Sequence, residues 1–276
     1  MSTATMNLPT PPKVDAPPIW ASRGTYDSLL WTAVILALVW SSLAVQLSPK
    51  ALAMGLPRMR DFLAGTWPPD WSVLRAVLKE VVITIQCAFV GTCLALVPSL
   101  PLGFLAARNL TDTTPFWRAI GTASRLFLNA TRSIDALIFA LIFVTAVGLG
   151  PFPGTLALAV HSIGMLGKLF CEAIEGVDKG PVEALEAVGA TKLQMVRWAI
   201  LPQAIPYFIS YFLYRFELNI RTAVVLGLVG GGGIGFLLMT YMKLLQYQRV
   251  MVVVIVIFVL VMGLDWLSAR MRRAVV

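Results

Sequence analysis

Apolar residues occur in long runs along this chain, and the charged residues between them collect in short islands. Six runs stand out, at 28–47, 81–107, 134–149, 152–174, 206–229 and 250–267. A helix needs about 20 predominantly apolar residues to cross a bilayer, and most of the runs reach or approach that length. The pattern predicts an all-α membrane protein with about six transmembrane helices. Pro98 and Pro101 lie in the later half of the second run. Neighbouring helices can satisfy the carbonyls that proline frees, so a kink is expected there. The third run is short, and 116–131 before it has the look of an amphipathic lead-in. The first 27 residues carry Pro, Ser and Thr without an apolar period and are expected to form a disordered cytoplasmic tail. That tail is too long and proline-rich for the n-region of a signal peptide, so the first run is expected to be a retained span.

Composition supports a membrane location. Of 276 residues, 58% are hydrophobic and 13% charged, more apolar and less charged than a soluble domain of this length requires. The net charge of +8 is scattered among loops without an aromatic platform, which argues against nucleic acid and for loops held on the cytoplasmic side. Arg108, Arg118, Arg125 and Arg132 follow the second run against Asp112, and Arg270, Arg272 and Arg273 close the chain without an acid. The turn "GLGPFPG" between the third and fourth runs has no charge. Both termini and the loops after the second and fourth runs are therefore expected inside. The segment 48–79 dissents, with Arg58, Arg60, Arg75 and Lys79 on the outer side. Trp67 and Trp71 flank Pro68 and Pro69 there, as in a segment lying along the headgroups.

No constellation for covalent chemistry is present. Cys87, Cys93 and Cys171 form no CxxC pair and are expected to be small buried thiols. His161 has no HExxH partner and is expected to be a satisfied or pore-facing histidine. Glu172 and Glu175 are expected as solvated acids at the end of the fourth run. There is no phosphate-binding loop: Gly167-Lys168 is followed by Leu169. The glycine run "GGGGIG" at 230–235 follows an apolar span without the strand–turn–helix setting of a dinucleotide site, so it is expected to be a flexible or re-entrant turn near the outer face. Gly148, Gly150, Gly164 and Gly167 are expected to permit close helix packing.

The island after the fourth run, "EALEAVGATKLQMVRWAILPQAIP", is ordered in a different way. Gly180-Pro181 signals a helix start, and Val182, Leu185 and Val188 recur at helical spacing with Glu183 and Glu186 on other sides. Gly189 ends that helix. Thr191 and Gln194 have capping-box spacing for a second one, and Leu201-Pro202 with Pro206 is expected to stop it. Such a helix–turn–helix lies on the membrane, packs on its own bundle as a capped loop, or enters a groove of a partner.

The spacing resembles the "EAA" loop of ATP-binding-cassette importer permeases: Glu183-Ala184-Leu185, then Gly189, then Leu201-Pro202. Leu185 stands where Ala is usual, and Ala199 where Ile is. The stretches "VGLGPFPGTLALAVHSIGMLGKLFCEAIEGVD" and "YRFELNIRTAVVLGLVGGGGIG" resemble the permeases of phosphonate and phosphite importers, from about Arg132 to the C-terminus, with Asp135 where Pro is usual. The resemblance implies a type I importer permease over 28–276 with a coupling loop at 176–203, in the bacterial inner membrane. It implies a second copy of the chain, two cytoplasmic ATPase subunits that hold the ATP and magnesium, and an external binding protein. No cofactor is expected on this chain.

Four polar residues in the fifth run complete the expectations: Arg215, Glu217, Asn219 and Arg221. Intramembrane charges face the bundle interior or a wet path. They either line the substrate path, with Arg215 helped by Asn219 and Arg221, or form a structural network in which Glu217 pairs with Arg221 four residues on. A stand-alone secondary transporter or channel is the rival, as is an importer permease for another small anion or nutrient. The first rival lacks coupling carboxylates, since Glu217 and, near an end, Asp135 are expected to be the only acids inside spans. A membrane scaffold, for which the island only binds a partner, is a further rival.

Overall fold

A computed structural model of the chain describes residues 24–46, 49–112 and 114–275. The disordered tail expected at 1–27 therefore falls outside the described residues up to 23, and its last four residues already belong to a helix. The chain divides into two compact units, Met1–Asp61 and Phe62–Val276. The first contains α1 (Gly24–Ala44) and most of α2 (Pro49–Gly65). Apolar side chains cover α1 all round, as on a helix embedded in lipid.

The second unit is all-helical among its described residues. A short 3₁₀ turn, Trp71–Val73, leads into α3 (Leu74–Ala106), α4 (Arg108–Thr111), α5 (Pro115–Ser133), α6 (Ala136–Val147) and α7 (Pro151–Glu175). Then come α8 (Lys179–Ala187), α9 (Lys192–Met195), α10 (Leu201–Leu228), α11 (Gly233–Lys243) and α12 (Tyr247–Val275). Four described stretches are long and apolar enough to cross a membrane: Trp71–Ala106, Pro151–Glu175, Lys192–Lys243 and Tyr247–Ser268. The pair α5 and α6, bent by 83° at its break, makes a fifth if counted as one span. Leu30–Ala44 of α1 is a shorter apolar helix at the place of the first expected run.

The centre of this unit is α3 against α7, with α10 across both. Close approach comes from small residues. A Cβ on Gly164 of α7 would lie 2.7 Å from the backbone nitrogen of Arg132 and 2.8 Å from the carbonyl of Leu128, both on α5. Gly167 likewise faces Leu128. Gly148 and Gly150 do not pack helices as expected: their φ values of 99° and 148° build the turn between α6 and α7. At one end of the bundle Leu128, Leu166, Phe170, Ile174, Ile200 and Phe208 form an apolar core. At the other, Val73, Val77 and Val81 of the α3 region meet Ile234, Val252 and Val253.

Several elements depart from the sequence expectations. Arg75 and Lys79 lie in the first turns of α3, not in a loop along the headgroups. The run 230–235 is buried throughout. It turns the chain into α11, which packs against α10, α3 and α12. Thr84 of α3 fixes that turn, its hydroxyl accepting from Ile234 N at 2.9 Å. Leu201-Pro202 and Pro206 do not stop a helix. A wide turn, Val196–Ile200, closes with Leu201 N donating to the Val196 carbonyl and runs straight into α10. Pro202 follows the wide turn directly.

Candidate functional sites

The island keeps its shape through its own hydrogen bonds. Asp178 caps α8 by accepting from Gly180 N at 3.1 Å, two residues before the expected start signal. At the other end Gly189 has φ 77°. Its N–H donates to the Glu186 carbonyl at 2.9 Å, and Ala190 N donates to that of Leu185 at 3.0 Å, which satisfies the last carbonyls of α8. Gln194 Oε1 accepts from Thr191 N at 2.7 Å and from its hydroxyl at 2.9 Å, so α9 is capped as its spacing predicts. Val182 and Leu185 are half-buried, while Glu183, Ala184, Gly189 and Pro202 are exposed and Leu201 is half-buried. Val188, Leu193 and Trp198 are left bare at 79%, 78% and 66% exposure.

Gln203 anchors the island to the bundle, a role that no local sequence signal marks. Its Oε1 accepts from Asp178 N at 2.9 Å, and its Nε2 donates to the Ala199 carbonyl at 2.9 Å. The second bond satisfies a carbonyl of the wide turn. Nearby, Glu175 is not merely a solvated acid: it accepts from Arg108 N at 2.8 Å. Asn109 donates to the Ile174 carbonyl at 2.8 Å. Helix α4 and the end of α7 are thus stitched together beside the island.

The four polar residues of α10 separate into two groups. Residues two apart on a helix point about 200° apart, and residues four apart share a face. Arg215 and Asn219 face α3 and α7. Arg215 Nε donates to Ser162 Oγ at 2.9 Å. Asn219 Nδ2 donates to Ser162 Oγ at 2.9 Å and to Thr92 Oγ1 at 2.8 Å. The Ser162 hydroxyl donates to Asn219 Oδ1 at 3.2 Å, and that of Thr92 to the Ala88 carbonyl at 2.6 Å. All four residues are buried. They form a polar layer near the middle of three helices.

Glu217 and Arg221 face α12. Arg221 Nη2 donates to Glu217 Oε1 at 3.1 Å and also pairs with Asp265. Arg221, expected to help Arg215, points here to the other side of α10. Asp265, overlooked among the intramembrane acids, joins α12 to α10. His161 has Nδ1 at 3.0 Å from the Ile134 carbonyl, at the break between α5 and α6. There Asp135 caps α6 by accepting from Leu137 N at 2.8 Å, which gives the unusual aspartate a local role.

Comparison with known proteins adds lineage to this geometry. The family described as binding-protein-dependent transport system inner membrane component matches residues 99–276. The chain is 42% identical over 254 residues to the phosphite transport system permease protein PtxC of Stutzerimonas stutzeri, covering 92% of this chain and 90% of that one. It is 41% identical over 237 residues to the phosphate-import permease protein PhnE of Mycolicibacterium smegmatis, covering 86% of this chain and 44% of that one. In fold it is similar to a chain of the MetNI methionine ABC transporter, with TM-score 0.62, 22% identity, and coverage of 75% of this chain and 99% of that one.

Proposed function

We propose a substrate class and a working cycle for a chain that belongs to the family of binding-protein-dependent transport system inner membrane components and is the permease subunit of an ATP-binding-cassette importer. The substrate is a phosphorus oxyanion, phosphite or a phosphonate. The observation that carries this is the 42% identity to a phosphite permease over nearly the whole of both chains.

In this proposal 28–276 is the permease domain, preceded by a cytoplasmic tail at 1–27. Its coupling loop, 176–203, docks on the ATPase through Glu183, Ala184, Leu185 and Gly189, with Leu201 and Pro202 at its exit. The bare Val188, Leu193 and Trp198 support a docking role, because a capped, rigid island that leaves large apolar side chains in water is suited to a partner groove. Two copies of this chain make the pathway, with two ATPase subunits and an external binding protein, and both termini are cytoplasmic. The Mycolicibacterium relative has room, beyond its matched segment, for a second unit of similar size, which favours a paired arrangement. ATP binding draws the two islands together and opens the pathway outward; hydrolysis resets it.

Uptake into vesicles holding the assembled complex tests the assignment. ATP-dependent accumulation of phosphite or methylphosphonate, with sulfate excluded, is expected. Accumulation of a solute without phosphorus, and none of these anions, would replace the substrate class. Transport with no ATPase subunit present would replace the mechanism.

A further inference from the structure

Arg215 is the least compensated charge inside the bundle. It is 3% exposed, its Nε is held by Ser162, and its Nη2 has no hydrogen-bond partner. No ion pair among the described residues includes it. A guanidinium removed from water without a counter-charge is costly, and a buried donor left unmade adds to that cost. Apolar packing does not require a charge at this position. Intramembrane charges of this kind are kept for what they bind or move.

The surroundings narrow what that is. Asn219, Ser162 and Thr92 satisfy one another, so the unfilled demand of the layer is for an acceptor carrying negative charge. Water would satisfy Nη2 but leave the charge uncompensated. A tetrahedral oxyanion does both, since two of its oxygens match the planar fork of a guanidinium, and the hydroxyls and amide beside it can turn to the remaining oxygens. The layer lies near mid-depth of α3, α7 and α10, where membrane transporters place their substrate sites.

The layer is also closed, because Ser162 and Asn219 bridge α7, α10 and, through Thr92, α3. It opens only if α10 shifts against the other two helices. The segment from Lys192 through the wide turn into α10 is helical without interruption. Arg215 stands about 20 Å along α10 from Leu201 at 1.5 Å per residue. A displacement of the island is therefore passed directly to the helix that carries Arg215.

We propose that Arg215, sequestered here by Ser162 beside Asn219 and Thr92, is the membrane-embedded ligand for the transported oxyanion and is uncovered when the island moves α10 against α3 and α7. The identity of the anion rests on the phosphorus-oxyanion assignment above; the uncovering does not.

Two measurements on the reconstituted complex with its ATPase and binding protein test this. Arg215→Gln is expected to lower phosphite uptake about tenfold or more, the equivalent of losing one charge-assisted contact. Arg215→Lys, which keeps the charge without the fork, is expected to fall between it and wild type. Wild-type phosphite uptake by Arg215→Gln would overturn the ligand role. The second measurement does not depend on those variants being stable. Ser162→Cys, with Cys87, Cys93 and Cys171 replaced, is expected to react with an anionic thiol reagent faster in the ATP-trapped state than without nucleotide, and more slowly with phosphite present. Equal inertness in both states would show a permanently closed structural layer and defeat the proposal. Absence of phosphite uptake in wild type would count against the substrate class alone, because labelling reports the uncovering separately.

Discussion

Gly189 holds φ 77° with no atom within 4 Å of where its Cβ would lie. Space does not demand a glycine here; backbone conformation does. A β-branched residue resists positive φ, at a cost of about 1–2 kcal/mol, and an exposed nine-residue helix has little packing to offset it. Asparagine tolerates that conformation. Gly189→Val is therefore expected to release α8 from α9 and to lose co-purification of the ATPase subunit or the substrate stimulation of its hydrolysis. Gly189→Asn is expected to keep both. Glu183, exposed on the same helix, gives a second probe by charge: Glu183→Lys is expected to weaken the same docking without unfolding the island. Intact assembly and stimulation in both Gly189→Val and Glu183→Lys would dismiss the island as a coupling device.

At the scale of elements, the tightest restriction is where α7 crosses α5. The Cβ of any residue at 164 would press on backbone atoms of Leu128 and Arg132, which cannot move as a side-chain tip can. Overpacking of this kind costs about 1–3 kcal/mol. Gly164→Val is expected to lower the melting temperature of the purified complex and Gly164→Ala to lower it less; a valine variant as stable as wild type would mean that α5 is free to slide. The helical elements were largely legible beforehand because their signals are local. Apolar length marks α3, α7 and α12, and Gly189 with the Thr191–Gln194 spacing marks the island. What escaped depends on contacts distant in sequence. The prolines at 202 and 206 signal a helix end, yet a wide turn at Val196–Ile200 carries the helix on into α10. The glycine run signals flexibility, yet Thr84 from α3 pins it. Asp265 was hidden by its position late in an apolar run, and only the approach of α12 to α10 gives it a partner. The division of the α10 charges into two faces was available from spacing alone, since 215 and 219 share one phase and 217 and 221 the other.

In the molecule as a whole, α10 connects three places: the island at one end, the polar layer near its middle, and α12 along its opposite face. The first two belong to one continuous helical run, so motion passes between them without a hinge. The contact with α12 decides whether α10 moves alone or carries its neighbour. Arg221 sits between Glu217 on its own helix and Asp265 on α12, and the Arg221 and Asp265 side chains remain 43% and 47% exposed. In water a pair so exposed contributes at most about 1 kcal/mol. Within an apolar membrane it contributes more, because neither charge has solvent to fall back on. If this pair fastens α12 to α10, removing one partner strands the charge of the other, so removing both costs less than the sum of the single losses. Arg221→Gln and Asp265→Asn are therefore each expected to lower the thermal stability of the complex, and the double variant to lower it by less than their sum, with a coupling energy of roughly 0.5–3 kcal/mol in the double-mutant cycle. Additive losses would show that Arg221 and Asp265 act independently and that α12 is held to α10 by its apolar contacts alone. The cycle also separates this fastening from the polar layer, because Arg215 and Asn219 point to the other side of the helix. Phosphite uptake per assembled complex in Asp265→Asn is expected to fall less than in Arg215→Gln, and the reverse order would place the anion contact on the α12 face.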